Sequence, residues 1–262
     1  MVEWQKYIET FDANKKVTLK KVFYIFIEFI NFSQNSYKDN SLTKLYVNIN
    51  DQSSYARYSN SNICIDSGLI KFAEEVHLIF FDENPLNEES YAFILWSIAH
   101  ELAHHLQNHQ EIQVQSSLIL GLEFDADRVA IKLLFNYLIK TKWAKHKTKI
   151  DLKIGILSKF YIPFRLKSEN SFLINNNSTH PNWALRLLCA ATFLAYDGNQ
   201  SILCEESKTT QELLFKNINS LELFYKNNNP NYIIDMNIYK DNSAECDFVK
   251  VLEAFEKIRQ KL

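Results

Sequence analysis

Two imidazoles four residues apart, the first followed directly by a carboxylate, stand at His100-Glu101-Leu102-Ala103-His104. On an α-helix, residues i and i+4 lie about 40° apart around the axis and about 6 Å apart along it, so both rings can point at one metal ion. Glu101 then falls on an adjacent face, close to the ion without binding it. A second acidic segment, Glu123-Phe124-Asp125-Ala126-Asp127, begins 19 residues after His104. That spacing lets an antiparallel helix return past the first and makes Glu123 the best third ligand. Two imidazoles and a carboxylate suit Zn2+, which in hydrolytic sites takes three protein ligands and leaves a fourth position open to water. Asp127 lies one turn beyond Glu123 on the same face, where it can accept the outer N–H of a ligand histidine and fix its tautomer.

Such a constellation suits peptide-bond hydrolysis. Glu101 is placed to take a proton from the attacking water and pass it to the leaving amine. A second donor to the developing oxyanion would add to the metal's effect. His180, in Ser178-Thr179-His180-Pro181, is the candidate, with Arg186 nearby on the following helix. The same stretch also reads as a helix N-cap followed by a surface histidine. His105 should point away from the metal face and His109 lies five residues past His104, so both read as structural or as support for the ligands. Asp125 should turn to another helix face, toward solvent or a salt bridge.

The elements that must carry these residues are mainly helical. Glu88 to Ile98 has acidic residues in its first turn and no Gly or Pro, so the HExxH motif falls on a buried helix spanning Asn87 to His109. A further long helix from about Glu111 to Lys142 carries Glu123 and Asp127. Other helices are expected over Thr18 to Gln34, Asp151 to Phe160, Asn182 to Ala195, Thr209 to Lys226 and Ala244 to Lys261. Leu42 to Asn50 and Asn62 to Asp66 are short β-branched or aromatic stretches and read as strands of a small sheet preceding the motif helix. Lys167 to Pro181 and Asn227 to Tyr232 read as polar loops. The expected fold class is α+β, mainly helical, with that small sheet beside the motif helix.

With 262 residues, 47% of them hydrophobic, the chain is long enough for one large domain, the preferred reading, or at most two small ones. A formal charge of −2 with both signs scattered gives no electrostatic case for nucleic acid or an anionic membrane, and Lys140 to Lys149 reads as a solvated helix end. Cys64, Cys189, Cys204 and Cys246 are widely separated, and Met1 to Lys16 is polar without a signal-peptide pattern, so a reduced, cytoplasmic setting is expected. The longest aromatic-aliphatic run, Val22 to Phe32, holds Glu28 and Asn31 and is too short to span a bilayer.

The set His100, Glu101, His104, Glu123 and Asp127 resembles that of gluzincin metallopeptidases of the zincin-like fold, in which HExxH is completed by a Glu from an ExxxD segment on the next helix. The extended metzincin motif does not fit, because Gln107 and Gln110 stand where it needs Gly and a third His. Three segments are similar to the HtpX and CAAX-prenyl-protease group: Ile63 to Ile70, its strand leading to a Gly-Leu turn; Glu123 to Asp127; and Ser178-Thr-His-Pro with Arg186. In that group the strand lies along the cleft and can pair with an extended substrate. The motif order resembles more closely the soluble Lit-type phage-exclusion peptidases, over roughly residues 60 to 190. The resemblance implies a zinc-dependent endopeptidase acting on an intracellular protein, in phage exclusion or stress response. Outside it, the chain reads as a single domain over 1–262 with a helical C-terminal extension from 200. Two other readings stand beside it. One is a regulatory protease of the ImmA/IrrE type that cleaves a repressor; the other is a non-catalytic module that keeps the metal to bind a partner or sense a ligand. Substrate and oligomeric state are not legible.

Overall fold

A computed structural model describes residues 2–39, 41, 44–50, 56–81, 91–112, 116–141, 148–167, 186, 190, 191, 193–195 and 205–228. Among the described residues the architecture is mainly helical with one small sheet, as expected, and the chain forms two compact units, Met1–Gln110 and Glu111–Leu262.

The first unit opens with a short strand, β1 (Val2–Glu3), and a single helical turn, α1 (Trp4–Ile8). The sequence reads there as a polar terminus, yet Trp4, Tyr7 and Ile8 are buried. Their spacing is that of one helix face, too short to stand out as a periodic signal. The Trp4 indole stacks on Phe23 of the next helix at 6.3 Å between ring centroids. That helix, α2 (Ala13–Tyr37), starts earlier than its apolar pattern suggests because Asp12 caps it, accepting the Lys15 N–H at 3.0 Å. It ends where Lys38 turns left-handed at φ 55°. Leu19, Val22, Phe26, Phe29 and Ile30 form its buried stripe.

Four strands make the sheet in the order β1-β2-β4-β3, where β2 is Lys44–Asn48, β3 is Ala56–Ser59 and β4 is Asn62–Asp66. Strands β2 and β4 run parallel with Leu45 opposite Ile63 and Val47 opposite Ile65, and these four side chains are buried. Strand β3 was not legible as a strand. It pairs antiparallel with β4 across Asn60-Ser61, whose φ values of 50° and 58° are those of a type I′ hairpin turn. As an edge strand it places Tyr58 toward the motif helix.

After β4 the expected Gly-Leu turn is instead the first turn of a helix, α3 (Ser67–Phe81). Leu69, Ile70 and Ala73 are buried, the spacing of a helix face rather than of a turn. The motif helix, α4 (Ala92–Leu106), packs against β3, α2 and α3. Ile94, Ile98, Ala99, Leu102 and Ala103 are buried to 0% exposure, so the helix carrying the HExxH motif is anchored in the core. The part of the expected helix at 87–90 lies outside the described residues.

In the second unit, α5 (Ser116–Lys140) carries Glu123 and Asp127, α6 (Lys149–Lys167) packs on it, and α7 (Glu205–Asn228) packs on α6. Leu152, Ile156 and Leu157 of α6 and Leu214 and Ile218 of α7 are buried. The Ser158 hydroxyl donates to Asn217 Oδ1 at 2.9 Å across that pair. Helix α6 continues past its expected end through Pro163, a proline that removes one backbone donor without stopping the helix. Arg186, Ala190, Ala191 and residues 193–195 are helical, within the helix expected over Asn182 to Ala195. The helix expected over Ala244 to Lys261 lies outside the described residues. Among the described residues no helix is long and apolar enough to cross a membrane.

Candidate metal centre

Helix α4 places His100 and His104 on one face with their Nε2 atoms 3.2 Å apart and the ring planes near perpendicular at 82°. His100 is buried and packs beside Trp96, with 5.5 Å between ring centroids. Glu123, on the second turn of α5, is also buried. One ligand atom from each of His100, His104 and Glu123 lies within 4.8 Å of the other two, a candidate metal-binding triad. Two neutral imidazoles and a carboxylate are donors of the type zinc accepts.

Glu101, one position around the helix, faces the edge strand. Its Oε2 accepts the main-chain N–H of Tyr58 at 2.9 Å. An edge strand has unpaired main-chain donors, and here one of them fixes a carboxylate oxygen of the HExxH motif. The same tyrosine is held by its side chain: its ring stacks on His105 at 4.6 Å and its hydroxyl lies 2.7 Å from His105 Nδ1. The other ring nitrogen of His105 lies 2.8 Å from both Asp39 Oδ2 and Ser41 Oγ. His105 thus turns away from His100 and ties α4 to the turn after α2.

Asp39 is the hub of that tie. Burial alone would raise its pKa, but hydrogen bonds from the Ser41 N–H, the Ser41 hydroxyl, Gln34 and His105 hold its carboxyl well below the usual carboxylate range. A depressed folded-state pKa contributes stability that is fully present above the unfolded value of about 4 and is lost as pH falls through the folded one. Asp39→Asn is therefore expected to cost about 1–3 kcal/mol at pH 7 and clearly less at pH 3. Urea unfolding of both chains at the two pH values measures this, and an equal gap at both would show that the charge is not what stabilises.

His109 also turns back to the site. Helix α4 ends at Leu106, Asn108 adopts φ 53°, and the short 3-10 turn His109–Glu111 follows. The His109 ring is buried with its Nδ1 2.9 Å from Nδ1 of His104. On a continuous helix five residues would carry it well round the axis; the left-handed Asn108 brings it back instead.

On α5, Asp127 accepts two hydrogen bonds from Arg186, from Nε to Oδ2 and from a terminal nitrogen to Oδ1, each 2.6 Å. Both residues are buried. The structure thus joins two residues that the sequence places 59 positions apart, in the paired geometry of a guanidinium and a carboxylate. Asp125 has 0% exposure and is bonded to Arg128 at 2.9 and 2.7 Å, the salt bridge of the two settings expected for it. His180, the candidate oxyanion donor, lies outside the described residues.

Residues 80–204 match a family model described as Peptidase U49, a span that includes the HExxH motif, Glu123, Asp127 and Arg186. The match supports a peptidase, and hence a protein or peptide substrate. No curated protein and no solved structure matches the chain.

Proposed function

We propose that the chain is a single zinc-dependent metallopeptidase domain of the gluzincin type, hydrolysing peptide bonds of a protein in the cytoplasm. In this reading His100, His104 and Glu123 hold Zn2+. The observation that carries it is the convergence of those three donors within 4.8 Å. The 3.2 Å between the two histidine Nε2 atoms matches the edge of a tetrahedral site, about 3.3 Å for Zn–N bonds of about 2.05 Å. Bound there, zinc would supply Lewis acidity toward a scissile carbonyl and toward water.

The chain's own residues account for the proton movements. Glu101 takes a proton from the attacking water and delivers it to the leaving amine. The Tyr58 N–H steadies Oε2 of Glu101, so the carboxylate enters the reaction in a set orientation. The buried pair of Asp127 and Arg186 braces the helix that carries Glu123. His180 is the proposed donor to the oxyanion. The likeness of the motif order to Lit-type peptidases supports phage exclusion as the setting, with stress response as the other.

The test is to express the chain in bacteria and catalogue protein N-termini, native beside His100→Ala. New termini in one or a few proteins with the native chain alone are the expected result. Identical catalogues from two folded, expressed chains would count against hydrolysis and favour the non-catalytic metal-binding reading.

A further inference from the structure

His109 stands outside the triad, and its buried ring contacts the outer side of one member. The Nδ1 atoms of His104 and His109 face each other at 2.9 Å, with ring centroids 4.9 Å apart and planes at 76°. A neutral imidazole carries one N–H and one lone pair. If His104 is to offer its Nε2 lone pair beside that of His100, its proton must sit on Nδ1. That N–H then points at Nδ1 of His109, which must present a lone pair and carry its own proton on Nε2.

We infer that His109 is a positioning residue for the metal site, accepting the Nδ1–H of His104 and so holding it in the tautomer whose Nε2 is free for a metal. The outer N–H of a metal-binding histidine is commonly given to a carboxylate, a carbonyl or water. Here a buried histidine supplies the acceptor, which orients the ring without adding a negative charge beside it. The left-handed turn at Asn108 is what makes this possible, because it returns His109 to the end of the helix it has just left. The inference rests on the proposed zinc site.

The test compares zinc affinity of the native chain, His109→Leu and His109→Asn, by competition with a chromophoric chelator, with circular dichroism to establish that each is folded. An asparagine side chain can place an amide oxygen close to where Nδ1 stood, whereas leucine offers no acceptor. The leucine variant is expected to bind zinc about 10–100-fold more weakly, and the asparagine variant to remain within about threefold of native. Long-range nitrogen–proton spectra of the zinc-free chain should show His104 protonated at Nδ1, and a mixture of tautomers in His109→Leu. Native affinity in His109→Leu overturns the inference, and so does a folded asparagine variant more than about tenfold weaker than native. Should leucine unfold the chain, the asparagine result decides alone. A native chain that takes up no zinc overturns the zinc reading and this inference with it, whereas zinc in the native chain and undiminished in His109→Leu overturns this inference only.

Discussion

Glu101→Gln is expected to lower turnover about 10²–10⁴-fold while leaving fold and metal content unchanged. The substitution keeps the length of the side chain and an oxygen that can still accept the Tyr58 N–H, so the contact between β3 and α4 survives. It alters none of the three proposed ligands. What it removes is the basic oxygen that takes up a proton, because an amide cannot do so at neutral pH. The measurement is the rate at which purified native and variant chains cleave a protein identified from its new N-terminus. Cleavage within a few-fold of native would remove Glu101 from the role of base. Retained zinc with lost turnover would separate chemistry from metal binding.

Asp127→Ala is expected to destabilise the chain by about 3–5 kcal/mol, because it leaves the buried Arg186 guanidinium without the carboxylate that accepts two of its hydrogen bonds. Such a loss is a large part of the 5–15 kcal/mol that holds a typical domain folded. Replacing both partners, with Asp127→Leu and Arg186→Met, removes the unpaired charge as well, and the double variant should regain most of the loss. Urea unfolding of the native chain, the single variant and the double variant tests this. If Asp127→Ala unfolds at the native midpoint, the pair does not brace α5; if the double variant is as unstable as the single, the cost lies in packing rather than in an orphaned charge.

The parts legible in sequence were those whose signal is local. Strand β4 is bounded by Asn62 and Asp66 with Ile63 and Ile65 alternating between them, and its limits are those expected. The motif helix and α5 were visible because long apolar patterns surround the His and Glu positions. Strand β3 was not, since Arg57, Tyr58 and Ser59 carry no hydrophobic alternation and the hairpin turns on Asn-Ser rather than Asn-Gly. Yet β3 supplies the donor to Glu101, so one important neighbour of the motif comes from its least legible strand. Support of the ligands by His109 is one of the two roles its position suggests, but the partner is not legible: five residues of continuous helix would carry it away from His104, and a positive φ at Asn108 reverses that. The pairing of Asp127 with Arg186 depends on tertiary packing over 59 residues, which no local pattern encodes. The turn at Gly68-Leu69 is implied by the resemblance of Ile63 to Ile70 to a protease group, while the burial of Leu69, Ile70 and Ala73 shows a helix face.

Whether His100, His104 and Glu123 hold a metal is decided by zinc content. Purified native chain and Glu123→Ala, at matched concentration, are analysed by elemental mass spectrometry after exhaustive buffer exchange. Close to one zinc per native chain and a sharp drop in the variant are expected. If a binding free energy of about 10–16 kcal/mol is spread over four ligand positions, losing one costs about 3 kcal/mol, or more than a hundredfold in affinity. Native chain that is folded, contains no zinc and takes up none on incubation would rule out the zinc site, because the three donors would then meet without holding the metal their geometry fits.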